Sequence, residues 1–560
     1  MPQSSVPPVA EVVPFFRVRD PDAWLSFAAS IVIGFSCLQV LLFSFGRDQG
    51  IYAVVAAGLL DGQMPYRDLW DFKPPGIFLA YALAQALFGR TELAPRLLEV
   101  IGLLAMVAAF MRLSQTFFGR RQIGLVAGSI ACLLQAELEF WHTAQPETFG
   151  GFLTIAALVV ATTESNRRRY WIWAGVGALF GLAFLFKPPL GGGLLVCAPY
   201  LMKKEMERAR RSQAALWPVV TMAAGCLLPI ALCALWFAAR GGWSALSWTL
   251  GEFTPGYTTL SWEGRRAPEM LYHALEEAFF KFSALGAAGV IAAVVSTPIH
   301  HREREGLFLT FGVLSVQIAG IAMQGKFFPY HYGASLMLIA FVAGLGLYKL
   351  WRRCLAGGAG GVLAFASFVV IAVIMRDAAR DLPQGFWERS WIRTNYLLRM
   401  QPYSTRAELD KELYYVADYN LAADREVALD IRSRTRSGTP IYIWGFEPTI
   451  YWLAQRPPAS RFIYNVPQRT EWGKAYARRE LMRELKQNLP ALIVVQRNDV
   501  FPAVTGQTTD SRSELDAFPE LNAFIAGRYT LVKQIEDFDL YQLSVVKPAP
   551  SGVSAAEPPK

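Results

Sequence analysis

Eleven runs of mostly apolar residues fill the first 375 positions of this chain, at 23–45, 95–117, 122–140, 148–164, 170–187, 188–202, 216–239, 279–298, 306–323, 331–350 and 357–375. A helix needs about 20 apolar residues to cross a bilayer. Repetition on this scale gives the fold class, a polytopic α-helical membrane protein with about eleven transmembrane helices. Composition agrees. Hydrophobic residues make up 53% of the 560 positions and charged residues 18%, against about 25% charged in an ordinary soluble domain. A soluble enzyme, a disordered chain and a disulfide-stapled secreted domain are excluded. The cysteines Cys37, Cys132, Cys197, Cys226, Cys233 and Cys354 lie in or beside apolar runs without a CxxC pair, and read as small buried hydrophobes.

The net charge of +9 would suit nucleic acid, but where the basic residues lie points to membrane orientation, and no nucleic-acid partner is expected. Clusters stand at Arg17 and Arg19, Arg120 and Arg121, Arg167 to Arg169, Lys203 to Arg211, Arg302 and Arg304, and Lys349 to Arg353. Eleven spans put every cluster on one side, which the positive-inside rule makes cytoplasmic. Residues 77–89 are apolar but too short to span, and counting them would reverse every later cluster. Residues 46–94 are therefore expected as one long external loop with two interfacial helices, the first over 49–62 and the second starting near Pro74 and Pro75. The glycine runs at 191–193 and 357–361 are expected to let helices pack closely.

The chain divides into a cytoplasmic tail (1–22), a membrane domain (23–375), an extracytoplasmic α/β domain (376–546) and a disordered tail (547–560); residues 1–14 also read as disordered. In the α/β domain, Thr405 and Glu408 form a capping-box pattern that predicts one helix to about 436. PIYIW at 440–444 and ALIVVQ at 491–496 read as buried strands, with a helix over 470–488 between them, and 528–533 with 538–545 as a closing strand pair. The localisation that follows is the plasma membrane, the bacterial inner membrane, with the C-terminal domain outside.

Charge inside a bilayer is costly, so the grouping of polar residues at the outer span ends is informative. Asp48, Asp61, Asp68, Asp71, Lys73, Arg96, Glu147, Lys187, Lys326 and His331 all fall on that side. An acid ringed by cations at a membrane surface suits a substrate with an anionic head and a lipid tail, the cations taking the phosphate and the acid acting as base.

The stretch RDQGIYAVVAAGLLDGQMPYRDLWDFKPPGIFLAYALAQALFG at 47–89 resembles the first external loop of the GT-C integral-membrane glycosyltransferases, above all the family of protein O-mannosyltransferases and lipid A aminoarabinose transferases. The shared features are Asp48, Tyr52, the Gly62–Pro65–Tyr66 turn and Asp71-Phe72-Lys73-Pro74-Pro75. LAPRLLEV with Arg96, Gln145-Pro146-Glu147, FKPP at 186–189, KFFPYHY at 326–332 and IWGFEPTIYWLAQRPPASRFIY at 443–464 also resemble the family. The resemblance implies a GT-C-like fold and an inverting transfer of a sugar from a polyprenyl-phosphate donor to a hydroxyl of an envelope glycan, glycolipid, lipopolysaccharide or protein. It implies Asp48 as base, with Lys73, Arg96, Lys187 and Lys326 on the donor phosphate and Tyr52, Tyr66, Asp71, Glu147 and His331 on substrate. Many members carry a second acid beside the first; here Gln49 stands there, so no metal ligands are assigned and a divalent cofactor is left open.

Each of these residues also has a plainer reading. Asp48 is then a loop acid, Lys73 and Lys326 interfacial anchors, Arg96 a snorkelling arginine, Glu147 an N-terminal helix charge and Lys187 a span-end lysine. Tyr66, Trp70 and Tyr330 are candidates for stacking on a sugar ring. Asp20-Pro21-Asp22 and Asp537-Phe538-Asp539 match a DxD pattern, but the first reads as a helix cap. A lipid-linked sugar transporter or flippase, or a non-catalytic glycan-binding member, would share the basic rim. A transporter would also show paired halves with broken helices near the membrane centre, and the sequence has no such repeat.

Overall fold

The computed structural model describes residues 20–165, 168–209, 216–296, 300–375, 384–416 and 419–544. Both tails expected to be disordered lie outside the described residues, as do Arg17, Arg19, Arg167, Arg210 and Arg211. All eleven apolar runs contain helix. Among the described residues, six helices are long and apolar enough to cross a membrane: Pro21–Leu41, Leu93–Phe118, Arg169–Phe186, Leu216–Ala239, His301–Gln324 and the stretch Pro329–Ala356. A seventh follows if Ala267–Lys281 and Ala284–Val295, bent by 94°, count as one span. The other runs give shorter elements. Arg121–Glu137 and Pro146–Ala161 have 17 and 16 residues, and a 3-10 turn at Pro188–Gly193 precedes the helix Leu194–Ala209. Asp20 caps the first helix by accepting from the amides of Asp22 and Ala23, which accounts for the DxD pattern there.

Small residues set the closest helix approaches, as expected where apolar surface alone gives no preference between helix and lipid. A Cβ on Gly177 or Gly181 would lie 2.0 or 2.2 Å from the carbonyl oxygens of Met222 or Cys226. The glycine run at 191–193 is packed in the same way, against Phe180, Phe184 and Val316. In the run at 357–361 only Gly361 is, its Cβ position lying 3.1 Å from the Arg353 carbonyl oxygen. A Cβ on Gly357, Gly358 or Gly360 would meet nothing, and Gly357 and Gly358 have φ of +71° and +73°. These glycines make a left-handed turn between two helices, which side chains would strain.

The loop after the first helix carries two helices, Arg47–Leu60 and Gly76–Phe88. Beyond residue 384 the chain forms a helix Phe386–Leu397 and then a mixed α/β unit. Its four-stranded sheet runs in the order Ile441–Trp444, Leu492–Gln496, Phe538–Leu543, Tyr529–Ile535. The first pair is parallel, with Ile441 opposite Leu492, and the other pairs are antiparallel, with a bulge at Leu531/Lys533. The capping box at Thr405 and Glu408 forms, but its helix stops at Leu413. A second helix, Leu421–Arg434, starts anew at Asn420, whose side chain accepts from the amides of Ala422 and Ala423. The aromatic and β-branched residues Tyr414, Tyr415 and Val416 end the first helix in place of the single long one expected.

One hydrophobic core joins this unit to the loop. It contains Phe45, Ile51, Tyr52, Trp70 and Tyr81 from the loop together with Trp444, Phe462, Tyr464 and Val494. The fit is close: a Cβ on Gly50 would lie 2.1 Å from Thr449 Oγ1. The Trp70 amide donates to the Arg461 carbonyl at 2.7 Å.

Candidate active site

Asp48 sits in the first turn of the Arg47–Leu60 helix, where a negative charge faces the positive end of the helix dipole. Its side chain keeps 24% of its exposure. Gln145 Nε2 donates to Asp48 Oδ2 at 3.3 Å, and the Tyr52 hydroxyl lies 3.5 Å from the same oxygen. Tyr52 donates more closely to Gln145 Oε1, at 2.9 Å. Gln145 itself caps the helix Pro146–Ala161. Two helix starts therefore meet at the carboxylate.

Lys73 Nζ lies 4.0 Å from Asp48 Oδ2 and donates to the Tyr330 hydroxyl at 3.1 Å. Burial pulls the Lys73 ammonium down in pKa, but Asp48 and Glu147 outweigh it and the net shift is upward. Lys187 follows directly on the span Arg169–Phe186 and donates to Glu147 Oε1 at 2.6 Å. His331 Nε2 lies 4.0 Å from that same oxygen, and Glu147 Oε2 has no hydrogen-bond partner. Tyr330 stands between the two lysines, its ring 4.8 Å from Lys73 Nζ and 5.9 Å from Lys187 Nζ.

Lys73, Lys187, Lys326 and His331 face one cavity of about 510 Å³. The rest of its wall is largely apolar, including Phe184, Leu185, Ile230, Leu246 and Leu250. Lys326 donates to the Ala503 carbonyl and lies over the Tyr257 ring. Burial, with Arg265 nearby, brings its ammonium down to about 8. A cationic end and apolar walls match an anionic head joined to a lipid chain.

The other candidates are placed differently. Arg96 is not brought to this cavity. Its fully buried guanidinium donates to Glu99, Thr143 Oγ1 and the carbonyls of Ser44 and Phe140, so it ties the Leu93–Phe118 helix to the segment that carries Gln145. Tyr66 donates to the Lys73 carbonyl at 2.7 Å from a position with φ of +66°. Tyr66 and Trp70 are both fully buried, which removes them from sugar stacking; Trp70 donates to Thr249. Asp71 is buried, accepts from the Tyr464 hydroxyl at 2.6 Å, and has an unpartnered Oδ2. Burial raises its pKa against the pull of Tyr464 and Lys73, to about 6. Gln49 accepts from the Gly46 amide at 2.9 Å and donates to the carbonyls of Trp141 and Thr143. A carboxylate cannot make those two donations, which is a physical reason for an amide at this position. Among the described residues, no three of His, Cys, Asp and Glu gather as a metal-holding group.

Gln145, Tyr257 and His142 were not singled out as site residues from the sequence. His142 stacks on Tyr330 at 6.0 Å with an unpartnered Nδ1, and burial holds it neutral at about 3. For Gln145, the adjacent Pro146 and Glu147 were the available signal.

Residues 72–236 match the model of the dolichyl-phosphate-mannose-protein mannosyltransferase family. Among solved structures, ArnT from Cupriavidus metallidurans bound to undecaprenyl phosphate superposes with a TM-score of 0.52 at 14% identity, covering 93% of this chain and 98% of that one. The apo state of ArnT gives 0.54 at 13% identity, covering 93% and 97%. The chain carries the GT-C fold. At this identity the likeness is one of fold, and no curated protein sequence matches the chain.

Proposed function

We propose that the chain is an inverting glycosyltransferase that moves a sugar from a polyprenyl-phosphate donor to a hydroxyl of an envelope acceptor, on the outer face of the plasma membrane. The observation that carries this reading is the juxtaposition of Asp48, 4.0 Å from Lys73, with an apolar cavity headed by Lys73, Lys187 and Lys326. The lipid phosphate binds at the lysine end and its chain lies along the apolar wall. Asp48 takes the proton of the acceptor hydroxyl as that oxygen attacks the anomeric carbon. The carbon–oxygen bond to phosphate breaks, its electron pair leaves with polyprenyl phosphate, and the configuration inverts. The lysines stabilise the charge that develops on the leaving phosphate, and general-base help is worth about 10²–10⁴-fold. Glu147 balances Lys187, and His331 borders the sugar. The same reading places the membrane domain at eleven spans, with the α/β unit outside.

The test compares envelope glycans and glycolipids by mass spectrometry in native, deleted and Asp48→Asn strains. The reading expects one sugar missing in both altered strains, normal protein level, and accumulated polyprenyl-phosphate donor. A native glycan profile in the Asp48→Asn strain, with the sugar absent from the deletion strain, would remove Asp48 as base and favour transport.

A further inference from the structure

The C-terminal α/β unit reaches into the loop at two points, each next to a residue of the proposed site. Arg47, the neighbour of Asp48, donates through Nε to Glu447 Oε1 at 3.0 Å and through a second nitrogen to the same oxygen. Its guanidinium is boxed by the rings of Phe446 at 4.7 Å, Phe501 at 4.5 Å and Tyr419 at 5.9 Å, all from the C-terminal region, and by Trp141. The pair is almost wholly buried. Asp71, two residues before Lys73, accepts from Tyr464. The amide of Trp70, one residue earlier, is fixed by the Arg461 carbonyl. Neither anchor touches the cavity. One holds the backbone beside Lys73, which lines it, and the other the backbone beside Asp48, 4.0 Å from Lys73.

We propose that Glu447 and Tyr464 are positioning residues for the transfer: Glu447 fixes Arg47 and so the aim of Asp48, and Tyr464 fixes Asp71 and so the placement of Lys73. This rests on Asp48 and Lys73 acting as base and phosphate ligand. The two anchors have different signatures. Displacing the base slows transfer and leaves the donor lipid bound as before. Displacing Lys73 weakens the lipid. Hydrogen bonds to charged partners and near-attack geometry make such displacements matter; a 1 Å misplacement costs on the order of 10²-fold in rate.

The experiment uses the full chain in lipid nanodiscs. Transfer is measured on membranes of the deletion strain, which supply both accumulated donor and unmodified acceptor. Binding is measured separately with undecaprenyl phosphate as probe. Glu447→Gln is expected to lower the transfer rate about ten- to a hundredfold with the probe Kd within about twofold. Tyr464→Phe, which removes one oxygen atom, is expected to weaken the probe about five- to thirtyfold. In an Asp71→Ala background, which removes the acceptor of the Tyr464 hydroxyl, Tyr464→Phe should add almost nothing, since both variants cut the same link. Native rate and Kd in both single variants would overturn the proposal. So would equal loss of rate and binding in the two variants, or additive effects of Tyr464→Phe and Asp71→Ala, because those describe general loosening. If Glu447→Gln fails to fold, Tyr464→Phe with the Asp71 cycle decides alone. Failure of the transferase reading looks different: no transfer by the native chain, or an Asp48→Asn chain as active as native.

Discussion

Lys187→Gln should separate donor binding from stability. In the free protein the Lys187 ammonium lies 2.6 Å from Glu147 Oε1, and Glu147 is 2% exposed with its second oxygen already unpartnered. Removing one member of a buried ion pair leaves an uncompensated charge and costs about 3–5 kcal/mol. The same substitution removes a charged donor from the lysine end of the cavity, a loss of about 1.5–3 kcal/mol in binding, or about ten- to a hundredfold in Kd. The double variant Lys187→Gln/Glu147→Gln replaces the ion pair with two amides that can bond to each other. It should recover most of the thermal stability and none of the lysine's contribution to phosphate binding. The assay is thermal unfolding in nanodiscs beside titration with undecaprenyl phosphate. If the double variant regains native affinity, or the single variant binds normally, Lys187 does not hold the phosphate and the argument from the cavity fails.

Three more outcomes follow from the same geometry. Lys326 carries its charge below about 8 and loses it as pH rises through that value, while a bound phosphate favours the charged form; affinity for undecaprenyl phosphate should therefore fall between pH 7 and 9, and Lys326→Arg should flatten that dependence. Gln49→Glu keeps the bond accepted from Gly46 but sets a carboxylate against two carbonyl oxygens, so it should lower stability by about 1–3 kcal/mol and transfer with it, as read by unfolding and rate. Arg96→Lys cannot reproduce the spread of four fixed donations; it should lower the melting temperature and leave the undecaprenyl phosphate Kd of the folded fraction unchanged.

Much of this was legible in the sequence because its signals are local. Apolar runs, Pro at helix starts and the capping residues at Asp20 and Thr405 depend on neighbours within a turn, and the helices appeared close to where these put them. The loop motif brought Asp48 and Lys73 to attention, and the FKPP and KFFPYHY stretches Lys187 and Lys326, as separate residues with one chemistry. What sequence could not supply was partnership. Arg96 carries the same charge as Lys187, yet one is spent on backbone carbonyls and the other faces a cavity. Tyr66 and Trp70 have the surface for stacking on a sugar but are sealed in a core shared with residues some 400 positions later. Tyr464 and Glu447 lie 393 and 400 residues from the groups they hold, and no periodicity or spacing marks such pairs. The break of the expected helix between Leu413 and Leu421 has the same origin, since Tyr414 and Tyr419 turn inward to donate to the carbonyls of Leu42 and Phe45.

The most direct measurement of the central claim is a paired assay on purified Asp48→Asn in nanodiscs, with transfer on deletion-strain membranes and binding of undecaprenyl phosphate measured on the same preparation. Asparagine keeps the side chain's shape and removes its negative charge and its capacity to take a proton. The account predicts transfer reduced by at least about 10²-fold with the lipid bound within a few-fold of native. Native-like transfer by Asp48→Asn would contradict it.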